Sequence, residues 1–155
     1  MSVKIAANRQ YVQIVNRSAD QLNTLKKPPE GWLSVMRKAL GMSGAQVAKR
    51  VGVSRNAIYQ AERNERDGAI TINQMQKLAE AMGGRFVYAI IPEHGHVEDV
   101  VRSQAHRAAE LLVQRANAHM ALEQQSLSQS QTKRRIDALT EDLIREMPAD
   151  FWEPK

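Results

Sequence analysis

Arg55, Asn56, Tyr59, Gln60 and Arg63 recur at a spacing that places them on the outward side of one short helix, opposite Ala57, Ile58 and Ala61. Their chemistry is recognition, not bond-making. Arginine can hold guanine O6 and N7 in bidentate fashion, and asparagine can hold adenine N6 and N7 in the same way. Further guanidinium groups can neutralise phosphates without choosing among sequences.

Such a helix must be carried at a fixed angle. The surrounding stretch, GMSGAQVAKRVGVSRNAIYQAERN from Gly41 to Asn64, holds two helical patterns separated only by Gly-Val-Ser. Two helices joined by a tight turn containing glycine form a helix-turn-helix pattern. In that geometry the first helix braces against the sugar-phosphate backbone, and the N-terminal end of the second enters the major groove. Ala48 supplies the small side chain that a helix corner needs, Gly52 permits the turn, and Val53 is expected to plug the core behind it. Ser43 and Gln46 have capping-box spacing, Ser54 caps the second helix, and Thr71 with Gln74 repeats the box before a further helix.

The spacing predicts a mainly helical fold around this corner. An amphipathic helix is expected over residues 5–26, with a break near Ser18 and an end before Pro28-Pro29. Another is expected from Trp32 to Leu40. The helix opened by Ser54 should close at a polar loop running from Asn64 to Ala69, and the flanking acids Glu62, Glu65 and Asp67 are expected to pair with Arg63 and Arg66. The helix opened by Thr71 carries Ile72, Met75, Leu78, Ala79 and Met82, and Gly83-Gly84 ends it. RFVYAIIP, residues 85–92, is rich in β-formers and bounded by Gly-Gly and Pro, so a short strand at about 85–91 is expected to pair across a dimer. Two C-terminal helices, 97–124 and 132–146, are separated by SLSQSQ, and Phe151 and Trp152 should dock on a surface. The domain reading is a basic helical arm at 1–28, a helix-turn-helix domain at 29–84, and a dimerisation or partner-binding region at 85–155.

Composition narrows the function classes. The 155 residues carry a net charge of +5, compatible with a polyanionic partner. The absence of cysteine excludes a disulfide framework, cysteine zinc sites and thiol catalysis, and it suits a reducing cytoplasm. With no apolar signal core and no long apolar run, neither secretion nor a membrane role is expected. His94 and His96 with Glu98 lack an assured third ligand and read as a polar loop. No phosphate-cradling glycine loop, no acid paired with a base and no nucleophile elbow is present, so neither enzyme activity, a metal nor a cofactor is expected.

At the AQVAKRVGVSRNAIYQAERN segment the chain resembles the Cro/repressor-type (Xre) helix-turn-helix family. More widely, GWLSVMRKALGMSGAQVAKRVGVSRNAIYQAE, then DGAITINQMQKLAEAMGGRFVYAIIP, then a helical tail with ALEQQ, resembles the mobile mystery protein A family. The resemblance implies a small bacterial DNA-binding protein often encoded beside mobile mystery protein B, and the helix-turn-helix reading makes it a homodimeric transcriptional regulator expected on double-stranded, palindromic operator DNA. It also implies an operon of toxin–antitoxin type and a Fic-domain partner such as mobile mystery protein B. That partner would be bound for regulation, or neutralised directly through the C-terminal helices. Direct occlusion of a Fic site usually uses a Ser/Thr-x-x-x-Glu helix, and this chain has no Ser or Thr with Glu four residues later. Carried over by position, the resemblance makes Ser43 and Gly44 the start of the bracing helix, where backbone N–H groups can meet a phosphate, with Gln46 beside them. Arg55 and Asn56 become the first base readers after Ser54, with Tyr59 and Gln60 one turn on. Lys49, Arg50 and Arg63 become phosphate contacts. Tyr59 departs from the family, in which a small residue is common at this place.

Overall fold

The computed structural model describes residues 3–122 and 128–153, with side chains from Asn8 onward. The described residues form seven helices and no strand. They divide into two compact units, one of residues 24–89 and one combining the chain before Thr24 with that after Ala89.

The central unit contains α2 (Trp32–Ala39), α3 (Gly44–Val51), α4 (Arg55–Asp67) and α5 (Ile72–Ala81). Their inward stripes meet in one core of Leu33, Val47, Ala48, Ile58, Ala61, Met75, Leu78 and Met82. Met36, Met42, Val51, Ile70 and Phe86 pack against its edge. Caps set where each helix starts. Ser43 and Gln46 form the full capping box, Ser54 accepts from the Ala57 N–H, and Thr71 accepts from the Gln74 N–H without the reciprocal half. α4 outruns its predicted end: Asn64 to Asp67 form its last turn. Gly68, at φ 77°, takes the left-handed conformation that closes the helix, and its N–H bonds back to Glu65.

Two further expectations for this part of the chain are corrected. Val53 does not plug the core but is 45% exposed, its N–H bonded to the Ala48 carbonyl in the turn. The expected strand at 85–91 is also absent. The segment has no ladder because no second strand lies beside it among the described residues. Phe86 turns to the core and stacks on Tyr88 at 5.5 Å, while Val87, Tyr88 and Ile90 stand exposed.

The second unit contains α1 (Val3–Leu22), α6 (Val97–Leu122) and α7 (Gln129–Glu146). α1 runs unbroken through Ser18, whose hydroxyl donates to the Ile14 carbonyl, and it ends earlier than the proline pair required. The side chains of its Lys4 and Ile5 lie outside the described residues. α6 and α7 are antiparallel neighbours, since Arg102 meets Glu141 and Asn117 meets Thr132. Ala105, Ala109 and Val113 form the buried stripe of α6. Ser128 and Gln131 make a second complete capping box, so α7 begins three residues before its predicted start and absorbs the end of SLSQSQ. The rest of that linker, with the end of the ALEQQ motif, lies outside the described residues. Phe151 is buried and its carbonyl accepts from Gln104, whereas Trp152 is half exposed.

Candidate nucleic-acid interface

The corner between α3 and α4 is built from hydrogen bonds that the local sequence supplies. The Ser43 hydroxyl accepts from the Gln46 N–H at 3.1 Å, and the Gln46 side-chain oxygen accepts from the Ser43 N–H at 2.7 Å. Gln46 is therefore engaged in the cap at the start of α3. Gly52, at φ 84°, ends α3 in a conformation that costs other residues strain, and its N–H reaches the Ala48 carbonyl at 2.8 Å. Two residues later the Ser54 hydroxyl starts α4. A turn this short leaves the two helices no freedom to drift apart.

Arg55, Asn56, Gln60 and Arg63 all stand exposed on α4, and Lys49 is exposed on α3. Gln60 donates to Asn64 at 2.8 Å and accepts from Arg63 at 2.8 Å, so these three side chains form a linked row. Arg55 and Asn56 lie one turn earlier. Tyr59 is the exception among the five. It is half buried, its ring is pressed against Gly44 at the start of α3, and the Arg37 guanidinium lies 5.5 Å from the ring centroid. Arg50 is also diverted: its Nε donates to the Ala81 carbonyl at 2.5 Å, tying α3 to the C-terminal end of α5.

Glu62 and Glu65 of α4 do not pair with Arg63 and Arg66 as expected. Glu62 is 4% exposed and forms an ion pair with Arg37 of α2 at 2.8 Å, and Arg37 also donates to the Met42 carbonyl. Glu65 is 5% exposed and accepts from the backbone N–H groups of Trp32 and Leu33 at 2.6 and 2.9 Å. It thereby caps α2, whose own N-cap residue, Gly31, has no side chain to do so. Helical periodicity contained this information. Ile58, Ala61, Glu62 and Glu65 fall at i, i+3, i+4 and i+7, as do Leu33, Met36, Arg37 and Leu40. The consequence is electrostatic. Both carboxylates are turned inward and satisfied, leaving Arg55, Arg63 and Arg66 exposed along α4, with Asp67 the exposed acid at its C-terminal end. Elsewhere in the unit, Lys38 hydrogen-bonds Glu30 and holds that exposed carboxyl below its ordinary pKa. Among the described residues no group of three or more potential metal ligands converges. No described helix is long and apolar enough to cross a membrane.

Residues 33–88 match a family model described as Helix-turn-helix, and the matched segment takes in α3, the Gly52 turn and α4. No curated protein and no solved structure gave a match to the chain. The match falls on the segment where Ser43, Gly52 and Ser54 build the corner and where α4 turns Glu62 and Glu65 inward. Residues 33–88 are an Xre-type helix-turn-helix domain, the module of DNA-binding transcription regulators.

Proposed function

We propose that the protein is a sequence-specific repressor that reads the major groove with α4. The observation that carries this reading is the division of labour on that helix. Glu62 and Glu65 are buried against α2, while Arg55, Asn56, Gln60 and Arg63 share the exposed face. Arg55 and Asn56 stand at the N-terminal end, the part of a recognition helix that meets base edges. Lys49 and Arg63 contribute affinity through phosphates, so binding weakens steeply with salt. Ser43, Gly44 and Gln46 place the start of α3 against the backbone, and Ser54 fixes where the reading helix begins.

The working form is a homodimer on a palindromic operator, two α4 helices addressing half-sites about 34 Å apart. The 85–91 segment supports this form: its backbone has no ladder partner, and Val87, Tyr88 and Ile90 expose β-forming side chains. Pairing of two copies through this segment joins both reading domains close to their α5 helices. The resemblance to mobile mystery protein A extends the reading to autoregulation of an operon shared with a Fic-domain protein.

The test is a fluorescence-anisotropy titration of the full chain on DNA from upstream of its own coding sequence, against scrambled DNA of equal length. Preference by a factor of roughly 1,000 or more marks a specific regulator. Equal, weak binding to both duplexes refutes the reading. Arg55→Ala should flatten preference among operator variants, whereas Lys49→Ala should weaken binding to all duplexes alike; identical behaviour refutes the split into base and phosphate contacts.

A further inference from the structure

Gly44 is the first residue of α3, is buried, and is not among the glycines with positive φ, so its backbone does not call for glycine. Space does. A Cβ built at Gly44 would lie 2.6 Å from Cζ of Tyr59 and 2.8 Å from its hydroxyl oxygen, closer than real side chains approach. The ring is also held from α2. Arg37 lies over the ring, and its guanidinium is fixed by Glu62 and by the Met42 carbonyl just before the Ser43 cap. The ring thus sits between α4, the first turn of α3 and a locked arginine of α2.

We infer that Tyr59 and Gly44 are a size-matched pair that sets the separation of the bracing and reading helices, making Tyr59 a positioning residue for sequence recognition. The inference rests on the proposal that α4 reads DNA, and it removes Tyr59 from the base-reading set. Close packing transmits a one-methyl change as a shift of neighbouring elements, because a filled interior has no slack to absorb it. A methyl group at Gly44 pushes on Tyr59, and Tyr59 lies one turn from Arg55 and Asn56 on the same helix. A smaller residue at 59 opens the slot for that methyl group. Each substitution alone misplaces the readers, and the two together compensate.

The experiment uses the full chain. The wild type enriches a duplex from a randomised library, and that duplex and a scrambled counterpart are then titrated with wild type, Gly44→Ala, Tyr59→Ser, Tyr59→Phe and Gly44→Ala/Tyr59→Ser. The readout is the ratio of the two affinities. Partial unfolding lowers both affinities alike and leaves this ratio untouched. Gly44→Ala should lower the ratio by about tenfold, on the scale of an overpacking penalty felt in binding. The double variant should recover most of that loss, and Tyr59→Phe, which keeps the ring, should retain more of the ratio than Tyr59→Ser. An unchanged ratio in Gly44→Ala overturns the inference while leaving the DNA reading intact. So does a double variant that discriminates worse than Gly44→Ala. A Tyr59→Phe protein as defective as Tyr59→Ser would assign the effect to the hydroxyl and overturn the spacer role. A wild type that enriches no duplex overturns the DNA reading itself, and the inference with it.

Discussion

Removing the Glu65 carboxylate should loosen the helix-turn-helix unit far more than its place near the end of α4 suggests. In Glu65→Ala the N–H groups of Trp32 and Leu33 lose acceptors at 2.6 and 2.9 Å. Hydrogen bonds to a charged group contribute about 1.5–3 kcal/mol each, and Leu33 is buried, so water cannot replace the lost partner there. Relief from burying a carboxylate offsets part of that sum. The net expectation is about 3 kcal/mol for Glu65→Ala and about half that for Glu65→Gln, whose amide oxygen keeps one bond. Trp32 and Trp152 are the two tryptophans, and Trp152 lies in the other unit. Urea unfolding in a Trp152→Phe background therefore reports the α2 environment through Trp32 alone. The midpoint should fall without a change in slope, the sign of lost stability and not of altered compactness. A loss below about 0.5 kcal/mol, the range of ordinary surface substitutions, would refute the capping role of Glu65.

Other consequences follow from the same geometry. Ser43→Ala breaks the capping box at α3 and should lower stability by about 1 kcal/mol in thermal or urea unfolding. His96 lies 2.7 Å from Asp20, and this hydrogen bond, with the charge of Asp20, raises the imidazole pKa above its ordinary 6.5. Protonation is thus favoured in the folded state. The contribution is complete below the unfolded-state value near 6.5 and is lost as pH rises through the raised folded-state value. A His96 ring titration by NMR should give a midpoint above the ordinary one in the wild type and a lower midpoint in Asp20→Asn; equal midpoints would exclude Asp20 as the cause. Ile90 is 91% exposed in the single chain. Ile90→Asp should therefore leave unfolding of the helix-turn-helix unit within about 0.5 kcal/mol of wild type while shifting sedimentation velocity from dimer to monomer. A dimer that survives the substitution would place the interface elsewhere.

What could be read without coordinates was whatever one turn of helix carries within itself. Ser43, Ser54 and Thr71 announced helix starts because a short hydroxyl side chain reaches only the N–H groups two or three residues on. Gly52 announced the corner because a left-handed residue between two capped helices is a local requirement. The inward stripe of Val47, Ala48, Ile58, Ala61, Met75 and Leu78 was legible for the same reason: helical period converts spacing into a face. Reading failed where a residue's partner lies far along the chain. The 85–91 segment has β-forming residues, but a ladder needs a second strand, and β-propensity cannot provide one. Glu62 and Glu65 looked like surface acids beside Arg63 and Arg66, yet both fall within the inward period and find partners on α2, 25 and 32–33 residues away. Spacing alone places Tyr59 on the outward side of α4, yet its ring is half buried against Gly44 at the start of α3. The sequence by itself determined the helices, their caps and the outward row of Arg55, Asn56, Gln60 and Arg63, since hydrogen bonds and periodicity act over a few residues. Only the tertiary structure decided which charges are neutralised inside and which are offered outward, because that depends on side chains that meet only once the helices have packed.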